Sequence, residues 1–211
     1  MKTYPINLIG LERRRCVVVG GGVVAARKVA GLLEAGAHVV VISPRIVPAL
    51  QKYLAADRIT LLCRAYRPGD LQGAFLVIAA TDDPEVNRAV AQEAESRGCL
   101  VNVVTEPALS NFIVPAVVRR GELTIAISSG GASPSLARHL RIQLEKTIGK
   151  EYAILTELLG ELRLAVQGKD EDMRRRRALV QRALSSQILQ IIREEGREAA
   201  RAYLKHLLDE P

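Results

Sequence analysis

A glycine-rich turn between an apolar run and a helical pattern constrains the fold of this chain more than any other feature. A valine run at residues 17–19 leads into three glycines at 20–22, and the apolar residues that follow recur at helical spacing. Gly20 would permit a tight turn, Gly22 would let the backbone approach a pyrophosphate, and Ala25 would pack the helix on the strand. Unpaired amides and the helix dipole favour an anion there. The pattern predicts a dinucleotide-binding turn; the alternative is a turn that only joins a strand to a helix.

Strands and helices alternate at regular intervals as far as about residue 104. Apolar runs predict five strands, at residues 15–19, 38–42, 59–63, 75–80 and 100–104. Helical spacing predicts helices at 23–34 and 46–55, and a third that begins with Asp83 as its N-cap and Pro84 at its first position. This alternation predicts an α/β fold with a Rossmann-like, parallel five-stranded sheet.

The pattern changes after Pro107. Two β-type runs, at 112–118 and 123–128, are separated by residues 119–122 and predict a hairpin. Ser133 is expected to cap the next helix, with Pro134 at its first position. No proline follows until residue 211, and helical spacing predicts a helical tail. The apolar positions that define these helices are Leu136, Leu140, Leu144 and Ile148, then Leu155, Leu158, Leu159 and Leu162, then Val180, Leu184, Ile188 and Ile191, and last Ala200, Tyr203, Leu204 and Leu207.

These patterns divide the chain into three predicted domains. Residues 1–111 would form a dinucleotide-binding, Rossmann-like domain, and residues 112–149 a small α+β dimerisation segment with a hairpin and a capped helix. Residues 150–211 would form a helical C-terminal domain. Because the hairpin and its apolar helix would expose more apolar surface than so small a segment can cover, we expect a homodimer joined there.

The net charge of +7 fits an anionic partner, either nucleic acid or an acidic small molecule. Aromatic residues make up only 3% of the chain, so its basic stretches lack the stacking side chains that single-stranded nucleic acids need. The four arginines at 174–177 follow an acidic run at 170–172, and we favour a solvated helix start there over a nucleic-acid patch. We expect no nucleic-acid partner.

Cysteine usage and hydropathy indicate a reducing, aqueous compartment. Cys16, Cys63 and Cys99 are odd in number and scattered in or beside predicted strands, which is typical of reduced core thiols. The spacing of Cys and His residues predicts no structural zinc site. Apolar runs of membrane-spanning length and a secretory signal are both absent from the sequence. We expect a cytoplasmic protein with no membrane partner.

A second loop could receive an anion. Residues 128–134 follow a predicted strand and lead into the helix capped by Ser133, so amides and hydroxyls would again gather at a helix N-terminus. The alternative is a loop that only turns the chain, since Ser and Gly clusters are common in loops.

Five motifs, taken in order, resemble the precorrin-2 dehydrogenase module of siroheme synthases over essentially all 211 residues. They are Gly-Gly-Gly-x-Val-Ala-x-Arg-Lys at 20–28, Ala-Ala-Thr-Asp-Asp at 79–83, Asn-Val-Val at 102–104, Phe-Ile-Val-Pro at 112–115 and Ser-Ser-Gly-Gly-Ala-Ser-Pro-Ser-Leu-Ala-Arg at 128–138. Some members carry a fused methyltransferase domain that this sequence does not include, so we expect a free-standing form.

The resemblance implies an NAD-dependent dehydrogenation of precorrin-2 to sirohydrochlorin in siroheme biosynthesis. In some members it also implies insertion of ferrous iron into sirohydrochlorin to give siroheme. Two alternatives stay open, a protein that is mainly a sirohydrochlorin ferrochelatase and a nonenzymatic NAD-sensing module.

The resemblance also implies a set of cofactor-binding residues. An acidic residue at the end of the second strand would normally hold the ribose hydroxyls, but this chain has Ser43 and Pro44 there, followed by Arg45, which would suit a 2′-phosphate. The family likeness favours NAD over NADP. The implied cofactor-binding residues are Gly20, Gly21, Gly22, Val23, Val24, Pro44, Arg45, Thr81, Asp82 and Asn102.

The chain departs from the family at the expected general acid/base residue. The family has Asp directly after Asn-Val-Val, whereas this chain has Thr105, whose hydroxyl cannot serve as a carboxylate base. The neighbouring Glu106 would need a local turn to face the same way, and Pro107 favours such a turn. We favour Glu106 as the catalytic base over release of the proton to water. The departure at Thr105 argues against chelatase activity.

For the substrate, the resemblance implies Ser128, Ser129, Gly130 and Arg138. Ser129 is expected to bind rather than to act as a nucleophile, because no catalytic triad is recognisable. Arg138 and Arg141 could pair with substrate carboxylates, or form a solvated helix face. We interpret His139 as a surface or interface residue rather than an iron ligand, and metal ligands stay unknown.

Overall fold

The computed structural model describes residues 2–166, 180–184 and 187–209, which form two compact units. The first unit is Thr3–Val114. The second comprises the described residues of Pro115–Pro211 together with Lys2.

The first unit is a parallel five-stranded sheet with helices on both faces. Its strands are β1 (Arg15–Val19), β2 (His38–Ile42), β3 (Ile59–Leu62), β4 (Ala74–Ala79) and β5 (Leu100–Val103), in the spatial order β3-β2-β1-β4-β5. Its helices are α1 (Val23–Glu34), α2 (Pro48–Ala55) and α3 (Pro84–Ser96). Strand order reverses at β1, between β2 and β4, which is where ligands bind in doubly wound sheets. The predicted Rossmann-like sheet is confirmed.

Strand β1 lies at the centre of the sheet because its apolar side chains are buried on both faces. Cys16 and Val18 pack in one core cluster with the apolar face of α1, where Ala25 and Val29 are fully buried. Val17 and Val19 point the opposite way, into a second cluster with α3. Since neighbouring side chains alternate across a strand, only an uninterrupted apolar run satisfies both clusters.

The edges of the predicted elements shift by one or two residues. Helix α2 begins at Pro48 rather than at residue 46, because proline lacks an N–H and its fixed φ suits the first helical position. The third strand ends at Leu62 and leaves Cys63 exposed, so the prediction of a core thiol is wrong for Cys63. Cys16 and Cys99 are buried, and burial raises the pKa of the Cys16 thiol to about 11.

The second unit contains the predicted hairpin and capped helix. Strands β6 (Ala116–Arg120) and β7 (Leu123–Ile127) pair antiparallel, and α4 (Pro134–Thr147) packs against them. Gly121 forms the turn with a left-handed φ of 57°. Residues 119 and 120, predicted as turn, belong to β6, because they pair with Thr124 and Leu123 of β7. The Arg120 side chain also donates to the carbonyl oxygens of Glu145 and Ile148 at the carboxyl end of α4.

The first hairpin strand was predicted to begin at residue 112 and begins instead at Ala116. Pro115 cannot donate a hydrogen bond to a strand ladder. The residues before it cover the edge of β5: Ser110 Oγ accepts from the Val103 amide, and Asn111 Oδ1 accepts from the Val101 amide. The segment is therefore attached to the parallel sheet rather than to the hairpin.

Among its described residues, the second unit also contains the helices α5 (Glu151–Val166), α6 (Ile188–Glu194) and α7 (Arg197–Asp209), and residues 180–184 are helical. The predicted single helix through Val180 and Ile191 is wrong, because Gln187 leaves helical geometry and a new helix begins at Ile188. The arginine run at 174–177 lies outside the described residues. Within the described ranges, no helix is long and apolar enough to cross a bilayer. The buried core of these helices comprises Leu155, Leu158, Ala183, Ile188, Ile192, Ala200 and Leu204.

Candidate functional site

The turn between β1 and α1 has a backbone that only glycine can adopt. Gly20 has a φ of 122°, and a Cβ there would overlap the carbonyl oxygen of Ala80. Its amide donates to the Ile42 carbonyl at 2.9 Å, while the Ala80 amide donates to the Val19 carbonyl at 2.8 Å. The turn is thus held between the carboxyl ends of β2 and β4.

Gly21 has a separate role that sequence reasoning did not assign. A Cβ on Gly21 would overlap the Arg45 carbonyl oxygen, and the Gly21 carbonyl accepts from the Val47 amide at 2.9 Å. Gly21 therefore lets the chain after β2 lie directly against the glycine turn. The glycine at the middle of the Gly20–Gly22 run, a position that the dinucleotide motif leaves open, was the signal for this contact.

Gly22 leaves the start of α1 open. It is the N-cap of α1, a Cβ on it would have no atom within 4 Å, and no side-chain hydrogen bond from the described residues caps the helix. The first turn of α1 contains no acidic residue, and Val23 is 68% exposed. Arg27 and Lys28 follow; burial and then Arg27 lower the pKa of Lys28. Unpaired amides at an open helix start, with two cationic residues in the following turn of the helix, fit a dinucleotide pyrophosphate.

The chain after β2 carries no carboxylate at the position expected to bind ribose. Ser43 is buried, and its hydroxyl donates to the Arg45 carbonyl at 2.6 Å, which uses its proton inside the protein. Pro44 and Arg45 are exposed. Of the two predicted cofactor residues after β2, Arg45 is the one with a charged side chain, and it is exposed to solvent.

The ends of β4 and β5 are joined by Asn87, a residue of α3. Its side chain is buried; its Oδ1 accepts from the Thr81 hydroxyl at 2.8 Å, and its Nδ2 donates to the Thr105 hydroxyl at 3.2 Å. Asp83 caps α3 as predicted, accepting from the Glu85 and Val86 amides. Sequence reasoning did not single out Asn87, although it precedes Val90 by three residues on the buried face of α3.

Thr105 and Glu106 follow β5 at the same edge of the sheet. Thr105 is exposed, and Glu106 precedes the 3₁₀ turn Pro107–Leu109, so the local turn that Glu106 required is present. The Glu106 Oε2 lies 3.7 Å from Nε of Arg88, which also pairs with Glu85 at 2.6 Å. The Glu106 and Glu85 carboxylates therefore share the Arg88 guanidinium of α3.

A chain of close contacts links strand ends that carry predicted site residues. Arg45 packs on Gly21, Gly20 packs on Ala80, which precedes Thr81, and Thr81 is bonded through Asn87 to Thr105. Asp82 is exposed beside Thr81.

Asn102 is placed differently from the rest of the set. It is buried within β5, and its Nδ2 donates to the Phe112 carbonyl at 3.1 Å. The side-chain N–H group of Asn102 thus holds the segment along β5, and its assignment to the cofactor stays a prediction.

In the second unit, the loop after β7 is ordered by its own hydroxyl groups. Ser128 Oγ accepts from the Gly130 amide at 3.1 Å, and Ser129 Oγ accepts from the Ser133 amide at 2.8 Å. Gly130 and Gly131 both have left-handed φ values, and Ser133 caps α4 as predicted by accepting from the Leu136 amide. A hydroxyl oxygen that accepts an amide still has its own proton to donate.

Arg138 and His139 are exposed on α4, whereas Arg141 pairs with Glu145 along the same helix. Arg138 is therefore the freer of the two arginines considered for substrate carboxylates. No group of three or more His, Cys, Asp or Glu side chains that could hold a metal ion occurs in the described part of the chain.

Three family models match the chain in consecutive order. They are described as "Putative NAD(P)-binding" at residues 8–116, "Sirohaem biosynthesis protein central" at 120–147 and "Sirohaem synthase dimerisation region" at 151–208. The chain belongs to the putative NAD(P)-binding family, whose model covers more than half of it, and its two shorter matches are to the central and dimerisation regions of sirohaem synthases. Residues 8–116 are thereby its NAD(P)-binding part. The dimerisation description falls on 151–208, whereas the sequence predicted dimerisation through 112–149, a location that stays a prediction.

Individual relatives agree with this assignment. The chain is 45% identical to a siroheme synthase of Methylobacillus flagellatus over 208 residues, which cover 99% of this chain and 44% of the relative. It is 40% identical to a siroheme synthase of Chromobacterium violaceum over 205 residues, covering 97% and 43%. The chain thus spans less than half the length of these relatives. Among solved structures, SirC, a precorrin-2 dehydrogenase, matches with a TM-score of 0.73 and 27% identity, covering 100% of both chains.

Gly22→Asp should abolish cofactor binding without unfolding the protein, because its Cβ meets open space but its carboxylate would face the pyrophosphate. Two like charges 4 Å apart repel by about 4 kcal/mol at an effective dielectric constant of about 20, roughly a thousandfold in affinity. Calorimetric titration with NAD⁺ would measure the loss. Gly31→Asp is the matched control, since Gly31 also has open space and lies farther along α1. Equal affinity in the two variants would contradict the assignment.

Proposed function

We propose that this protein catalyses the NAD-dependent dehydrogenation of precorrin-2 to sirohydrochlorin. The observation that carries the proposal is the open, uncapped start of α1, held by close backbone contacts between the strand ends of β2 and β4. The similarity to a precorrin-2 dehydrogenase over the full length of both chains supports the same conclusion.

We propose NAD rather than NADP as the working cofactor, on the family likeness. Gly20, Gly21 and Gly22 would receive the pyrophosphate, with Val23 and Val24 beside it. Pro44 and Arg45 would lie near the adenosine half, and Thr81 with Asp82 near the nicotinamide ribose. Arg45 also suits a 2′-phosphate, so titrating the protein with NADP⁺ beside NAD⁺ tests the choice. Tighter binding of NADP⁺ would contradict it.

In this reaction the nicotinamide, when bound, accepts a hydride, and a second group must accept a proton. Glu106 is the proposed base, because its carboxylate follows β5 at the same sheet edge as Thr81 and Thr105. Thr105 has no carboxylate and would contact the substrate through its hydroxyl. Release of the proton to water is the alternative.

The substrate is a polycarboxylate, so it requires donors and positive charge. We propose that Ser128, Ser129 and Gly130 receive one of its carboxylates, with Arg138 pairing another. The proposal rests on the hydrogen bonds that fix the hydroxyl oxygens of Ser128 and Ser129, and on the exposure of Arg138. The three-domain division at 111/112 and 149/150 is retained as part of the proposal.

A spectroscopic assay tests the function directly. Protein, precorrin-2 and NAD⁺ are mixed, and the absorbances of the reduced cofactor and of sirohydrochlorin are followed together; ferrous or cobaltous ion is then added. We expect both absorbances to rise at the same rate. Metal insertion without cofactor reduction would favour a ferrochelatase that takes iron as substrate, and cofactor binding without any turnover would favour an NAD-sensing module.

Glu106→Gln should lower kcat by on the order of a hundredfold, with little change in the affinity for NAD⁺, because a neutral amide cannot accept the proton. Glu85→Gln is the matched control, since it removes the other carboxylate paired with Arg88 and leaves Glu106 in place. Steady-state kinetics with precorrin-2 measure both. Unchanged turnover in Glu106→Gln would assign the proton to solvent.

We also propose a homodimer whose interface lies on the second unit. Leu136 on α4 is 51% exposed, and Ile127, Leu140 and Leu144 line an open groove of about 650 Å³. The helices matched by the dimerisation model expose a further residue, Leu164. Exposed apolar surface of this kind is typical of protein interfaces.

Light scattering at micromolar concentration should give twice the chain mass of 23.0 kDa. Leu140→Glu should shift the protein towards the monomer, because a buried carboxylate at the interface has no partner. Leu164→Glu is the parallel variant for the C-terminal helices: dissociation by it alone would move the interface to residues 151–208. A wild-type protein that is entirely monomeric would contradict the dimer.

A further inference from the structure

The amide of Asn87 is a buried polar group whose oxygen and nitrogen both have hydrogen-bond partners in the protein. The side chain is 1% exposed. Its Oδ1 accepts from the Thr81 amide at 3.3 Å and from the Thr81 hydroxyl at 2.8 Å. Its Nδ2 donates to the Thr81 carbonyl at 3.0 Å and to the Thr105 hydroxyl at 3.2 Å. Both hydrogens of the side-chain amide are therefore used, and its oxygen accepts from the Thr81 backbone and shares the single hydrogen of the Thr81 hydroxyl with the Asp83 carbonyl, which lies 3.0 Å from that hydroxyl.

The partners also fix which way the amide faces. The Thr81 amide can only donate and the Thr81 carbonyl can only accept. Exchanging the oxygen and nitrogen of Asn87 would set a donor against the Thr81 N–H group and an acceptor against its carbonyl. The nitrogen of Asn87 is therefore the atom that faces Thr105.

This orientation determines how the Thr105 hydroxyl can be used. Because its oxygen accepts a hydrogen from Asn87, the hydroxyl proton cannot point at that nitrogen and is available to another acceptor. Thr105 is exposed at the carboxyl end of β5, the edge at which doubly wound sheets bind their ligands.

We propose that Asn87 is a positioning residue, which joins the chain after β4 to the chain after β5 and presents the Thr105 hydroxyl as a hydrogen-bond donor to the bound tetrapyrrole. The inference rests on the proposed function for the identity of that ligand. It assigns to Thr105 a donor role, distinct from the proton-accepting role given to Glu106.

The test measures binding of sirohydrochlorin, the proposed product, by its absorbance change, so it does not depend on turnover. Thr105→Val should weaken this binding about tenfold, the effect expected for one lost hydrogen bond, and should leave the affinity for NAD⁺ unchanged. Thr105→Ser should restore most of the loss, because it returns the hydroxyl. Thr60→Val is the control for a threonine-to-valine change on an exposed position of the same sheet. Equal binding by the valine and serine variants at 105 would overturn the donor role.

A double-mutant cycle tests whether Asn87 acts through Thr105. Asn87→Asp keeps the shape but cannot donate, so it should weaken sirohydrochlorin binding in the wild-type background and much less in the Thr105→Val background. Multiplicative effects would overturn the positioning role.

If Asn87→Asp does not fold, NMR of the unliganded protein tests the positioning role instead. The side-chain amide resonances of Asn87 are compared between the wild-type protein and Thr105→Val. One of its two proton resonances should move and the other, bonded to Thr81, should stay. Two unmoved resonances would overturn the proposal. Failure of cofactor reduction in the wild-type assay would refute the proposed dehydrogenase activity instead. The binding and NMR measurements do not require turnover, so their outcome is independent of that result.

Discussion

The candidate cofactor site depends on the close approach of three backbone segments at the centre of the sheet. The chain after β4 lies against Gly20 and the chain after β2 lies against Gly21, each so close that a side chain on the glycine would overlap a carbonyl oxygen. These contacts fix the path of the turn, so the start of α1 is directed by backbone packing and not by a capping side chain. Of the three glycines in the turn, only Gly22 has open space where a side chain would begin. Two glycines are thus required by packing inside the protein, and the third provides room for a ligand.

The different roles of the three glycines explain why the amides at the start of α1 stay available to a ligand. A Ser, Thr or Asp N-cap would satisfy one of them from within the protein. Helix α3, which starts at the neighbouring strand end, has such a cap in Asp83. The contrast between the two helix starts follows from residue type alone: a capped helix needs no ligand, whereas an uncapped one gains when an anion binds.

Much of the fold could be predicted because its signals are local. The valine run of β1 is buried on both faces, and Asp83 and Ser133 cap the helices that they precede. What could not be predicted depends on contacts distant in the sequence. Cys63 is apolar enough for a strand but falls just beyond the pairing with β2. Asn87 was not singled out, because its partner Thr105 is 18 residues away and becomes a neighbour only when β4 and β5 pair. The role of Gly21 likewise required the position of Arg45.

The Asn87 amide also bears on the departure at residue 105, where the resemblance implies an aspartate. An amide N–H donates to a carboxylate as readily as to a hydroxyl, so the same Asn87 nitrogen could hold either side chain in place. Exchanging aspartate for threonine would therefore preserve the link between the β4 and β5 ends. The exchange would still remove a negative charge and a proton acceptor from the site. At residue 105, the hydrogen bond that fixes the side chain and the acceptance of a proton are therefore separate roles. In the reaction proposed above, a chain with Thr105 would keep the binding architecture, and the proton would pass to the adjacent Glu106 carboxylate or to water.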